Sequence, residues 1–237
     1  MSEAALPLAG RTALVTGGSR GIGQATVRAL TEAGARVAAV SRGGGDPGAP
    51  GSLALACDLR DRAAVLATVD EAVERLGGLD IVVPNAGVGS YGPFLELAPE
   101  QVDEMIDVNV KGTLYTLPAT LPHLLRSAAA DVVILASEAG RRGLPGESVY
   151  CASKFAQVGL GRSLDHELRE RGVRVTTVCP GGVATGFAFG RGRRPEDEEG
   201  MMSAGDVADL VLFAVTRPRG MRLLEVALRP VSEPSWG

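Results

Sequence analysis

Two periodicities alternate along the chain. Short apolar runs at 12–16, 36–40, 53–57, 79–83, 132–137, 173–178 and 223–228 read as strands buried on both faces. Longer stretches between them repeat every three to four residues. Ile22, Ala25, Thr26, Ala29, Leu30 and Ala33 recur at helical spacing, and Gly34 ends that helix. The same reasoning predicts helices over 61–76, 99–126, 150–171 and 205–216. Strands alternating with helices imply a parallel sheet covered on both faces. The expected class is α/β: a doubly wound sheet of about seven strands. The chain has 237 residues with no internal repeat and no linker, so one domain over 1–237 is expected.

Composition narrows the field. The net charge is −4 and no long basic run occurs, which argues against a nucleic-acid partner. No apolar stretch is long enough to span a bilayer, so no membrane partner is expected. Residues 1–8 lack a basic start and a long apolar core, so a secretory leader is not expected. Cys57, Cys151 and Cys179 are scattered and odd in number. They support neither a disulfide framework nor a metal site, and fit a reducing cytoplasm. His123 and His166 stand alone in helical stretches and read as non-catalytic.

The first strand runs into Gly17-Gly18-Ser19-Arg20-Gly21-Ile22-Gly23, and a helix comes next. A glycine loop between strand and helix is the context of a phosphate-binding turn. Glycines let the backbone approach a pyrophosphate, and the helix N-terminus offers unpaired N–H groups. This is a Rossmann-type arrangement. The spacing is Gly-x-x-x-Gly-x-Gly rather than Gly-x-Gly-x-x-Gly. After the second strand, many dinucleotide folds place an acid for the ribose 2′-hydroxyl; here Ser41-Arg42 stands instead. A hydroxyl and a guanidinium suit a 2′-phosphate, with Arg20 on the other side of the clamp. NADP(H) is therefore the preferred cofactor and NAD(H) the alternative. Asp58-Leu59 comes after the third strand. The Asp58 carboxylate is placed to accept from an adenine amino group, or else to cap the helix 61–76.

Tyr150 and Lys154 lie one helical turn apart on one face. An ammonium about 5 Å from a phenol favours the phenolate by roughly 3 kcal/mol, about two pKa units. Such a phenol is a usable proton donor and acceptor near neutral pH. Lys111 and Lys154 are the only lysines; the other basic residues are arginines. A compact ammonium kept where a guanidinium is the norm elsewhere points to a site that needs it. Ser137 lies at the C-terminal edge of the fifth strand.

In order and spacing, these residues resemble the short-chain dehydrogenase/reductase family over about 11–228, in the branch of the 3-oxoacyl-carrier-protein reductases. The glycine loop resembles that family's cofactor loop. Asn85-Ala86-Gly87 resembles its Asn-Ala-Gly turn, with Pro84 where the family usually has Asn. Proline removes a donor there. Ser137 and Tyr150 are separated by 150 − 137 = 13 residues, the usual family interval. Pro180-Gly181, Val183 and Thr185 resemble the segment that binds the nicotinamide carboxamide. The tail departs from the family pattern: Leu228-Arg229-Pro230-Val231 stands where members often carry a Val-Asp-Gly-Gly-like turn.

The resemblance implies NADPH-dependent reduction of a ketone to a secondary alcohol, or the reverse. Tyr150 would be the acid–base group and Ser137 the oxygen ligand. Lys154 would tune Tyr150 and hold the nicotinamide ribose. Asn109 would position a water that refills the proton through Lys154. It further implies a small-molecule carbonyl or alcohol substrate, a short mobile substrate lid at about 187–203, and a homodimer or homotetramer. An NADP-binding sensor and a non-redox epimerase or dehydratase on the same fold are the alternatives.

Overall fold

The computed structural model describes residues 6–233; residues 1–5, on which part of the leader reading rests, and 234–237 lie outside the described residues. Seven parallel strands form one sheet in the order β3-β2-β1-β4-β5-β6-β7. They are β1 (Thr12–Thr16), β2 (Arg36–Ser41), β3 (Leu53–Ala56), β4 (Ile81–Val83), β5 (Asp131–Leu135), β6 (Arg174–Pro180) and β7 (Glu225–Leu228). The α-helices are α1 (Gly21–Glu32), α2 (Arg62–Leu76), α3 (Pro99–Met105), α4 (Gly112–Leu124), α5 (Ser148–Leu168) and α6 (Ala204–Thr216). The expected doubly wound architecture is therefore present.

The sheet divides the interior into two cores. Successive strand residues point to opposite faces. Leu14, Val132 and Ile134 join one cluster, under α2, α4 and α5. Ala13, Val15, Val133 and Leu135 join the other, under α1 and α6. Every residue of β1, β5 and β6 is buried, which is why these strands read as mainly apolar and β-branched runs without alternation. Asp131 breaks that pattern at the start of β5. Although only 3 % exposed, it is neutralised by Arg11 at 2.8 Å, Arg174 at 2.7 Å and Arg219 at 3.2 Å.

One predicted helix is interrupted. The stretch 99–126 is α3, then a π-helical segment Ile106–Lys111, then α4. A π-turn adds a residue per turn and so rotates the helix beyond it. It carries Asn109, fully buried, against α5, where it bonds Ser153 and Gln157. Apolar periodicity does not register this change, because apolar residues continue through it.

The strand order also locates the site. The chain winds from β1 outward to β3, then returns to lay β4 on the other side of β1. The crevice at the C-terminal ends of β1 and β4 is the switch point where open α/β sheets bind ligands.

Candidate active site

A cavity of about 670 Å³ opens along that sheet edge. The glycine loop forms one wall. Gly17 has φ of +67°, and a Cβ there would lie 2.9 Å from the Ala86 Cα. A Cβ on Gly23 would lie 2.2 Å from the Gly17 carbonyl oxygen. No side chain fits between the loop and the first turn of α1, so the backbone faces the cavity directly. Ser19, Arg20, Gly21 and Ile22 line it from this loop.

The turn after β4 is clamped to β1. Asn85 and Ala86 both donate backbone N–H groups to the Thr16 hydroxyl, at 3.0 and 3.1 Å, and Asn85 Nδ2 donates to the Thr16 carbonyl at 2.8 Å. Pro84 costs this arrangement nothing visible: its carbonyl accepts from Leu135 N–H at 3.0 Å. Asn85, Ala86 and Gly87 thus hold one edge of the cavity.

Ser41, Arg42, Asp58 and Leu59 line the far end. Asp58 is not the helix cap. Asp61 fills that role for α2, accepting from the Ala63 and Ala64 N–H groups at 2.8 and 3.1 Å. Asp58 instead pairs with Arg60 at 2.6 Å, and that hydrogen bond holds its carboxyl below the ordinary range. Arg42 lies 3.6 Å from Glu104 with its side chain 61 % exposed.

At the opposite end stand Ser137, Tyr150 and Lys154, with Pro180, Gly181, Val183 and Thr185 lining the same cavity from the end of the neighbouring β6. Ser137 lies just past β5 and its hydroxyl accepts from Ala139 N–H at 3.1 Å. It donates to the Pro180 carbonyl at 3.4 Å, and it lies close enough to the Tyr150 phenol to oppose the effect of burial there. Tyr150 packs edge-on to Tyr91, centroids 5.6 Å apart, and against Phe187 at 5.8 Å. Arg193 stacks over Tyr91 at 5.2 Å. The Lys154 amine lies 5.7 Å from the Tyr150 ring centroid.

The electrostatics differ from the sequence expectation. The Tyr150 phenol is pushed up, not down: burial dominates, and Ser137 and Arg193 oppose it without reversing it. Burial likewise pulls the Lys154 amine down to about 7. Both groups lose water, and burial favours the neutral form of each. A neighbouring ammonium still favours the phenolate, but here the cost of burying charge outweighs that attraction.

Asn109 does not line the cavity; it stands behind the wall. Its Oδ1 accepts from Val88 N–H at 2.8 Å, and its Nδ2 donates to the Val88 carbonyl and the Ser153 hydroxyl at 2.9 Å each. Its backbone carbonyl accepts from Gln157 Nε2 at 3.0 Å and Thr113 Oγ1 at 2.8 Å, so Gln157 lies between Asn109 and Lys154, where the resemblance implies a water.

A charged cluster near Gly181 has no counterpart among the sequence motifs. Buried Glu138 meets Arg142 and Arg229, each at 3.0 Å. Glu233, from the tail, accepts from Gly182 N–H at 2.7 Å and pairs with Arg229 at 2.9 Å. Burial pushes Glu138 up. For Glu233 burial acts the same way, but the Gly182 N–H and Arg229 outweigh it and the net shift is down. The only sequence signal of this cluster is the tail's departure from the family pattern.

The segment read as a mobile lid is tied at several points. Tyr91 N–H donates to the Arg191 carbonyl at 2.8 Å, Arg191 pairs with Glu104 at 2.7 Å, and Glu198 Oε1 accepts from the Thr185 and Gly186 N–H groups at 2.9 and 2.7 Å. His123 and His166 do not line the cavity. Among the described residues, no helix is long and apolar enough to cross a membrane.

The family model for short chain dehydrogenase matches residues 11–194. An uncharacterized oxidoreductase of Staphylococcus epidermidis is 34 % identical over 232 residues, covering 93 % of this chain and 97 % of that one. A short chain dehydrogenase from Burkholderia cenocepacia, solved with NADP, is 33 % identical with a TM-score of 0.82, covering 94 % of this chain and 97 % of that chain. A 3-ketoacyl-(acyl-carrier-protein) reductase from Brucella melitensis, solved with NADH, is 26 % identical with a TM-score of 0.84, covering 94 % and 98 %. With the glycine cradle and the strand order, these findings place the chain in the short-chain dehydrogenase family, as an NAD(P)-dependent dehydrogenase or reductase.

Proposed function

We propose that the protein reduces a ketone to a secondary alcohol, with NADPH as the preferred cofactor. The observation that carries this reading is the convergence of Tyr150, Ser137 and Lys154 on one stretch of the cavity wall, with the Lys154 amine 5.7 Å from the phenol ring and Ser137 beside the Pro180–Thr185 segment. When bound, the cofactor supplies the hydride.

Ser137 donates to the substrate oxygen and stabilises charge as it develops there. Tyr150 gives that oxygen a proton. Burial keeps the phenol protonated at neutral pH, so the proton is there to give, and giving it up depends on stabilising the phenolate that results. Lys154 stabilises the phenolate left behind. Tyr91 and Phe187 flank the phenol and give the substrate pocket apolar walls.

The cofactor preference is supported by Ser41 and Arg42 at the adenosine end, with Arg20 across the cavity. The Arg42–Glu104 pair is long and exposed, so exchanging it for a phosphate costs little. The Burkholderia relative is solved with NADP, in keeping with this choice. The whole chain is read as one domain, working as a homodimer or homotetramer, with the segment at about 187–203 closing over the substrate.

The test is a panel of carbonyl compounds, including an acyl thioester and a sugar, with NADPH consumption monitored by absorbance. Turnover of at least one ketone, faster with NADPH than NADH, is expected. Product formation with no net change in NADPH would point to an epimerase or dehydratase instead.

A further inference from the structure

Among the buried polar side chains that the acid–base reading leaves without a role, Gln157 touches the site itself. Gln157 is 1 % exposed and lies one turn beyond Lys154 on α5. Its Nε2 donates to the Asn109 carbonyl at 3.0 Å and the Thr113 hydroxyl at 2.9 Å. Its Oε1 accepts from Lys154 Nζ at 2.8 Å. A buried amide is costly unless bonded, and this one is bonded at both ends.

The direction of this amide is fixed by its partners. The Asn109 carbonyl can only accept. The Thr113 hydroxyl donates its one proton to that same carbonyl at 2.8 Å, so it too must accept from Gln157. The group facing both must be the amide NH2. Oε1 is thereby turned toward Lys154. Leu135 supplies a second carbonyl to the amine at 3.0 Å. An ammonium has three N–H donors. With two held by protein oxygens, the third is left for the cavity.

We propose that Gln157 is the positioning residue of Lys154: its side-chain amide joins the Asn109 carbonyl to the lysine amine, at the place the family resemblance gives to a water. This rests on the acid–base reading of Tyr150 and Lys154. An amide neither yields nor takes a proton near neutral pH, so Gln157 holds the amine rather than relaying through it. Its carbonyl also opposes the effect of burial by favouring the charged amine. The titratable groups facing the amine are Tyr150, on its own helix, and Cys179, at the end of β6. On the neighbouring elements, Glu138 is engaged by Arg142 and Arg229, and Asp107 pairs with Lys111 at 2.7 Å.

The chain's two lysines make a clean test. Lysine labelled at the side-chain carbon and nitrogen gives two NMR signals, from exposed Lys111 and buried Lys154. In Gln157→Leu, the Lys154 titration midpoint should fall by about one to two pH units. In Gln157→Glu it should rise by about one unit or more. Lys111 should not move in either. The pH profile of kcat should shift in step: Gln157→Leu loses about ten-fold at pH 7 and recovers as pH falls through the lowered midpoint, while its affinity for NADPH stays at the wild-type value. An unchanged Lys154 midpoint in both folded variants would overturn the proposal. Should a variant fail to fold, a crystal structure of the wild-type protein with NADPH decides. The amide seated between Asn109 and Lys154 supports the proposal; Gln157 turned away, with a water bridging the two, defeats it. If the carbonyl panel shows no turnover, the functional reading fails, yet the lysine titration still decides on Gln157.

Discussion

The two ends of the cavity are built on opposite physical terms. At the adenosine end, Arg20 and Arg42 are exposed, Arg42 pairs with Glu104 at 3.6 Å, and the Asp58–Arg60 pair is about half in water. Charges there interact through a high dielectric, and each exposed pair contributes about 0–1 kcal/mol. At the catalytic end, Tyr150, Lys154, Gln157 and Asn109 are all buried, and the last three are bonded to one another, to Ser153 or to backbone. There, an orphaned polar atom is expensive, and a change in one group is felt by the rest. The difference teaches that cofactor preference should be easy to shift and the chemistry hard to preserve.

The largest effect is therefore expected at the phenol. Tyr150→Phe should lower kcat by about 10²–10⁴-fold, the range of a general acid, while NADPH binding measured by fluorescence stays near wild type. Ser137→Ala should cost about 10²–10³-fold, the range of one donor to a developing oxyanion. Activity in either variant within a few-fold of wild type would erase the contrast between the two ends.

Lys154 tests the same contrast through stability. Its folded pKa is pulled by burial from 10.5 to about 7. Below about pH 7 the amine is charged in both folded and unfolded chains, and the full penalty of burying that charge is present. Between about 7 and 10.5 the unfolded chain binds more protons, so wild-type stability gains relative to Lys154→Met as pH rises. From pH 7 to pH 10 the gain should reach up to about 4 kcal/mol, read from denaturant melts of both proteins. Parallel stability curves would mean that the amine is not desolvated, and that this end resembles the other.

Legibility in the sequence divides along the same line. Strand runs, the glycine loop and the interval from Ser137 to Tyr150 are local patterns, and residues chosen from them line one cavity. The π-turn at Asn109 leaves no trace in apolar spacing. Gln157 is an ordinary helix former whose burial depends on where α5 meets the π-helical segment. Asp61 against Asp58 as the α2 cap turns on a boundary of one or two residues. Glu233 reaches Gly182 from 51 residues away, which only the folded sheet edge brings about. The raised phenol of Tyr150 has the same origin: neighbours in sequence make the pair, but burial in three dimensions sets the sign.

At the adenosine end the expected effects are smaller. Arg42→Ala should raise the KM for NADPH about five- to twenty-fold and leave NADH within two-fold, because an exposed charge-assisted contact is being removed. A wild-type preference for NADH would refute the assignment of Ser41 and Arg42.

The smallest effect is expected at Glu104, and it has a distinctive sign. Glu104 is shared between Arg42 at 3.6 Å and Arg191 of the segment over the cavity at 2.7 Å. A phosphate arriving at Arg42 must compete with this carboxylate. Glu104→Gln removes the competing charge and should tighten NADPH about two- to three-fold, consistent with under 1 kcal/mol for a partly exposed pair. NADH carries no 2′-phosphate and should be unaffected. Equal changes in Kd for both cofactors would instead trace the effect to Arg191 and the segment it anchors. An effect of ten-fold or more would show that Glu104 belongs with the buried, interlocked end of the cavity, and that the boundary between the two ends lies further toward the adenosine than exposure indicates.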